Sequence, residues 1–302
     1  MAYVYSRKKN FNNIKRKLNH RLNRKRTKTN LKKCSPRTNN SFTCFNKNAL
    51  LNIIKSWNNN YYNDKISYSK YDGTSQLWSK LDKKFKKVCN EEYCWVEQKF
   101  VDKNNTDIKK SFRPKRPKKW KENKNEWLTT SDIEKVLKQY QNKYDKFVFI
   151  GPVPIDFDKE FGPGQCVINE LCNINLKRLL QKGKTKIGIV FNLDPHDKPG
   201  SHWVSFFADF DKNGLYYFDS YGISEPNEVR ILMERLKEQA KGLNKDMTIK
   251  VNNTRHQFKN SECGIYSINF IVKLLEGMSY DDYIRTIIKD DVMERNRTQY
   301  YI

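Results

Sequence analysis

The first acidic residue of the chain is Asp64, and the 63 residues before it carry 16 Lys and Arg with no Asp or Glu. A segment this rich in like charge cannot bury enough apolar surface to close a core by itself, so a folded body has to come from the rest of the chain. Of the formal net charge of +25, only +9 belongs to the remaining 239 residues. Residues 1–45 are therefore read as a basic flexible tail. Within it, Ile14, Leu18 and Leu22 recur at helical spacing and could line one face of a helix that forms against a partner. Arg16, Lys17, Arg21, Arg24, Lys25 and Arg26 are the candidate contacts to DNA or another polyanion. The same charge also describes an ordinary solvated surface.

A chain of 302 residues has room for one large domain or two modest ones. Aromatic and aliphatic residues return in LLNIIKSW, QLWSKLDKKF and EEYCWVEQKFV, and SFRPKRPKKWKENKNEW at 111–127 reads as an exposed basic connection. Residues 46–127 are assigned to an N-terminal accessory region with that connection, and 128–302 to the main domain. No apolar run has membrane length, and no secretory leader precedes the seven cysteines. A reducing, intracellular setting with ordinary reduced thiols follows as the expectation.

In the main domain, Thr130, Ser131 and Asp132 supply capping chemistry for a helix over about 132–143. FVFIG at 147–151 and KIGIVFNL at 186–193 read as strands. SHWVSFFADF, DKNG and LYYFDSYG form an antiparallel hairpin over about 203–219, which carries His202 and Asp219 toward the same end. With the turn centred between residues 212 and 213, Phe206 rather than His202 lies opposite Asp219. A bulge, another turn length or side-chain reach has to close that gap.

Ile265, Ile268, Ile271 and Leu275 recur every three or four residues, which predicts a buried helix launched at Cys263. Free N–H groups and the positive end of the helix field favour a thiolate at that position, and a histidine can take its proton. Gln257, six residues earlier, can offer an amide donor to a developing oxyanion. Taken singly, each of these residues is more often a core thiol, a surface histidine or a loop amide. Zinc is the competing chemistry, with Cys263 and His202 joined by His256 or His196, or with Cys34, Cys44, Cys89 and Cys94 as four thiolates.

The ordered set HW at 202–203, DS at 219–220 and QFKNSECG at 257–264 resembles the catalytic pattern of the ubiquitin-like-protein protease and adenovirus-protease superfamily. NNTRHQFKNSECGIYSINFI, SYDDYIRTIIKDDVMERNR and FNLDPHDKPGSHWV further resemble the processing proteases of large cytoplasmic DNA viruses such as African swine fever virus. The resemblance covers about 130–302 well and 50–110 weakly. Glu262 stands before Cys263 where many cellular relatives have aspartate, and the basic leader is outside the family pattern.

What the resemblance implies is an α+β, papain-like or adenain-like core in which a mixed central sheet is packed by helices, with an N-terminal accessory region. It implies a cysteine endopeptidase with Cys263 as nucleophile, His202 as base, Asp219 orienting the histidine and Gln257 at the oxyanion. Trp203, Phe258, Tyr221, Gly264 and Asn192 are the candidate substrate contacts. The chemistry requires neither metal nor organic cofactor. Substrates are expected to be viral core or capsid polyprotein precursors, cut near glycine or other small residues at assembly sites in the host cytoplasm, with the enzyme packaged in the virion. An isopeptidase acting on ubiquitin-like modifiers and a noncatalytic DNA-associated assembly protein are the alternatives.

Overall fold

The computed structural model describes residues 33–38, 42–123 and 125–302. The candidate polyanion contacts, from Arg16 to Arg26, and the Ile14, Leu18, Leu22 stripe lie outside the described residues. The chain divides into two compact units between Arg113 and Pro114.

In the first unit, α1 (Lys47–Asn60) buries Ala49, Leu50, Ile53, Ile54 and Trp57, and α2 (Thr74–Phe85) buries Leu77, Leu81 and Phe85. Two short helices follow, α3 (Glu92–Val96) and α4 (Thr106–Lys109). Trp95 stacks on Phe45 and Phe85, and Trp57 packs on Phe85 and Phe100, so rings supply most of this small core. Glu92 is buried there, accepting from the Cys44 backbone N–H and from Trp78 Nε1. Burial outweighs these bonds and pushes its carboxyl pKa upward.

The second unit is α+β. Its first helix, α5 (Thr130–Lys143), is capped one residue earlier than the spacing suggested: Thr129 Oγ1 accepts from the Asp132 N–H, and Asp132 Oδ2 accepts from the Thr129 N–H. There follow β1 (Phe147–Pro154), β2 (Glu160–Gly162), β3 (Gln165–Cys166), α6 (Asn169–Cys172) and α7 (Leu176–Gln181). The rest of the sheet and its helices are β4 (Lys186–Asn192), β5 (Trp203–Asp209), β6 (Gly214–Phe218), α8 (Asn227–Lys241), β7 (Thr248–Val251), α9 (Cys263–Leu275), α10 (Tyr280–Arg285) and α11 (Asp290–Tyr300).

The main sheet runs β1-β4-β5-β6-β7, parallel at both outer pairs and antiparallel at the two inner ones. Both faces are covered. Val190, Trp203, Phe207 and Phe218 face a core shared with α5, α9, α10 and α11, while Ile187, Ile189, Phe191, Val204, Phe206 and Tyr217 face one shared with α8. This explains why all seven residues of β5 are buried: successive side chains alternate faces, and neither face is wet. Among the described residues, no helix is long and apolar enough to cross a membrane.

Three features differ from the sequence reading. The hairpin register is two residues away from the one expected. Ser205 pairs with Phe218 and Asp209 with Gly214, because residues 210–213 form a four-residue loop with Asn213 in the left-handed region (φ 53°) and Asp209 Oδ1 accepting from the Asp211 and Lys212 N–H groups. Continuing that ladder puts Asp219 opposite Val204.

The cysteines, expected reduced, form three disulfides, Cys34–Cys44, Cys89–Cys94 and Cys166–Cys172, and Cys263 is the free one. Each pair is local, and short turns bring its Cα atoms to 4.9, 5.5 and 6.5 Å, within bridging range.

The segment read as an exposed connection at 111–127 is not uniform. Trp120 is buried against Tyr301, and Pro114 and Arg116 exchange backbone hydrogen bonds with Ile302, so its later part belongs to the second unit's core.

Candidate active site

Asp219 follows the end of β6 and is almost fully buried. Asn252 holds it by the backbone, its Oδ1 accepting from the Asp219 N–H at 2.8 Å and its Nδ2 donating to the Asp219 carbonyl at 2.9 Å. Asp219 Oδ1 accepts from the Tyr221 N–H at 2.9 Å and pairs with His202 Nε2 at 2.7 Å. Side-chain reach therefore closes the gap that the backbone register leaves. With Nε2 committed to Asp219, Nδ1 is the nitrogen left for Cys263, whose thiol is one of the groups that raise the imidazole pKa.

Burial alone would lower the imidazole pKa. Hydrogen bonds to Asp219 and Cys263, together with their charges, overcome it and hold His202 at about 9. Tyr221 stacks on the His202 ring, with centroids 4.8 Å apart, and limits its rotation.

Cys263 opens α9, whose residues are buried except for a half-exposed Lys273. Polar groups in this buried helix are bonded: Ser267 Oγ donates to the Trp203 carbonyl, and Asn269 bonds the hydroxyls of Tyr283 and Tyr300. Gly264 lets the helix approach α5's leading loop, since a Cβ there would meet the Leu128 side chain at 3.0 Å.

Gln257 is fully buried beside this helix. Its Oε1 accepts from Ser220 Oγ at 2.6 Å, and its Nε2 donates to the Lys259 carbonyl at 2.6 Å and to the Tyr221 hydroxyl at 3.4 Å. Both donors are thus engaged within the protein, and the long contact to Tyr221 is the weaker one.

The candidate substrate contacts take different positions. Phe258 is exposed, with the Arg255 guanidinium 4.8 Å over its ring. Trp203 is buried and donates from Nε1 to the Leu128 carbonyl at 3.0 Å. It also forms one wall of a cavity of about 260 Å³ lined further by Val153, Val167, Ile168 and Pro199. Asn192 shapes the loop before His202, its Oδ1 accepting from the Asp194 and Ser201 N–H groups. Gly200, at φ +102°, is required there because a Cβ would strike the Asn192 amide at 2.6 Å.

The zinc alternative finds no ligand set: among the described residues no three His, Cys, Asp or Glu side chains are grouped to hold a metal. His196 Nδ1 pairs with Asp156 at 2.6 Å, and His256 is buried among Phe218, Tyr266 and Tyr283. The sequence reading missed Asn252, Ser220, Asp290 and Arg297, which hold the site from outside. All four lie in segments that carry the family resemblance, but their roles were not readable there, since each acts on a residue more than thirty positions away.

Comparison with known proteins gives consistent likenesses. The profile of the Ulp1 protease family, C-terminal catalytic domain, matches residues 176–302. A protein of Acanthamoeba polyphaga mimivirus, a thiol protease by name, is 32% identical over 278 residues, covering 86% of this chain and 89% of that protein. The cysteine protease of an African swine fever virus tick isolate from Malawi is 28% identical over 239 residues, 75% of this chain and 88% of its own length. The counterpart from a Kenyan pig isolate, named SUMO-1 cysteine protease, is 30% identical over 240 residues with the same coverage. In fold, the chain is similar to the crystal structure of the African swine fever virus protease, with TM-score 0.61 and 24% identity over 89% of this chain and 95% of that one.

Proposed function

The chain belongs to the Ulp1 protease family and is a cysteine protease, and from that premise we propose that it is an endopeptidase that cuts viral structural polyprotein precursors with Cys263, His202 and Asp219. The observation that carries the residue assignment is the arrangement at the amino end of α9: a buried free thiol, an imidazole whose pKa that thiol raises, and a buried carboxylate 2.7 Å from the imidazole Nε2.

In this reading His202 Nδ1 takes the Cys263 proton, and the thiolate attacks the peptide carbonyl carbon. The tetrahedral oxyanion is met by N–H groups at the start of α9 and by the Gln257 amide, which gives up its long contact to Tyr221. The imidazolium passes its proton to the leaving amine as the C–N bond breaks, leaving an acyl-enzyme. Water, deprotonated by His202, then attacks the thioester, and the thiolate departs. Asp219 keeps the proton-bearing Nε2 fixed through both halves. Cleavage near glycine or another small residue fits a nucleophile that lies buried at a helix start. The enzyme acts where these precursors assemble and is carried into the particle with them. Polyanion binding by the basic leader stays a separate proposal, read from its charge alone.

A second reading, removal of a ubiquitin-like modifier, is favoured by the name SUMO-1 cysteine protease carried by several African swine fever virus relatives. One experiment addresses both. Viral structural precursors and a conjugated ubiquitin-like protein are incubated with the wild-type protein and with Cys263→Ala, and new termini are mapped by mass spectrometry. Precursor cuts made by the wild type alone support the endopeptidase, and release of modifier alone supports the second reading. Equal cutting by both proteins removes Cys263 from the mechanism.

A further inference from the structure

Glu262 occupies the N-cap position of α9, yet its side chain does not cap the helix. A carboxylate beside a helix amino end is drawn by the helix field toward the free N–H groups of the first turn. With Cys263 read as the nucleophile, N–H groups at the same helix start are the ones that meet its oxyanion. The Glu262 carboxylate is instead drawn away by Arg297 of α11, with Nε donating to Oε2 at 3.0 Å and Nη2 to Oε1 at 2.8 Å. Ser261 Oγ adds a bond to Oε1 at 3.0 Å.

Arg297 is itself held on every side. Nη1 donates to the Glu126 carbonyl at 2.7 Å, Nη2 to the Ser261 carbonyl at 3.2 Å, and the guanidinium lies 4.5 Å over the Trp120 ring. Both members of the pair are buried, at 1% and 4% exposure. Seven residues earlier on α11, Asp290 Oδ2 accepts from the Phe258 and Lys259 N–H groups at 2.9 and 3.0 Å, and Oδ1 accepts from the Tyr266 hydroxyl. One helix therefore grips both ends of the loop that runs from Gln257 to Cys263. Stability alone is a poor reason for such a pair, because apolar residues often replace a buried ion pair without loss.

We propose that Arg297 is a positioning residue for catalysis, which keeps the Glu262 carboxylate off the amino end of the nucleophile helix and so leaves its N–H groups free for the oxyanion. The proposal rests on the reading of Cys263 as nucleophile. Asp290 fixes the other end of the same loop, and α11 acts as a splint whose two contacts share one face.

The test compares two reactions of Cys263: turnover of a peptide spanning a mapped cleavage site, which forms an oxyanion, and alkylation by iodoacetamide, which does not. In Arg297→Met the freed carboxylate caps the helix, and kcat falls roughly 10- to 100-fold with KM within about twofold, while alkylation slows by no more than about threefold. Adding Glu262→Ala to that variant removes the competing carboxylate and restores kcat to within about threefold of wild type. Should Arg297→Met fail to fold, Arg297→Lys, which keeps the charge but loses the fork, is read in the same way, with a smaller fall that Glu262→Ala again recovers. Wild-type kcat in the folded single variant overturns the proposal, as does a double variant no faster than the single one, or alkylation lost in step with turnover. If Cys263→Ala cleaves the peptide as well as wild type does, the reading of the nucleophile fails instead, which is a different result.

Discussion

Asp219 lies 2.7 Å from His202 through Nε2, although the two residues sit two positions out of step across the β5-β6 ladder. Asn252 clamps the Asp219 backbone just past the strand end through both its N–H and its carbonyl.

Asp219→Asn preserves the shape of this contact while reversing the donor and acceptor choices at Nε2. We expect kcat on a cleaved peptide to fall roughly 10²- to 10⁴-fold with the protein still folded. Steady-state kinetics with a circular-dichroism melt beside them check this.

Asn252→Ala leaves the buried Asp219 N–H and carbonyl without their side-chain partner. The expected cost is about 1–3 kcal/mol of stability, read from denaturant unfolding, together with a fall in kcat larger than that in KM. Unchanged kinetics would show that Asp219 holds its position without the clamp.

The pH dependence follows from His202, raised from 6.5 to about 9. A raised basic group stabilises the fold fully below its unfolded value, and that contribution is lost as pH climbs from about 6.5 through about 9. Turnover should share an alkaline limb near pH 9, where the imidazolium that protonates the leaving amine disappears. A pH series of kcat/KM locates the limb, and Cys263→Ala should lower the imidazole titration seen by NMR, because two of the raising contacts come from the thiol.

His256 shows the opposite sign. Burial among aromatic rings pushes its pKa down, and the Ile284 backbone offsets only part of that. The unfolded chain then binds a proton that the folded chain refuses, so stability is lost as pH falls below the ordinary histidine value. His256→Phe keeps a ring in the aromatic cage and should flatten the fall in melting temperature on the acid side.

Much of this site was legible in the letters because it is local. The apolar spacing after Cys263 marks a helix that begins at the thiol, and alternation on both sides of DKNG marks the hairpin that carries His202 and Asp219. The family likeness rests on the order of those residues, which a chain of any tertiary structure would display. The loop before His202 is similarly readable, since Asn192, Asp194, Gly200 and Ser201 bond one another within nine positions.

The sequence by itself determined which elements form and in what order the reactive side chains occur, because backbone propensity and periodicity act over a few residues. The hairpin register and the cysteine pairing came from short turns whose geometry the letters left open, while tertiary structure alone decided the membership of Trp120 in the second core and the residues that fix the site from a distance. Asn252 on Asp219, Asp290 on Phe258 and Lys259, and Arg297 on Glu262 are contacts across 31 to 35 positions. Their energy comes from burial and matched hydrogen bonds that exist only once separate elements have packed, and no pattern along the chain encodes which distant partner each one finds.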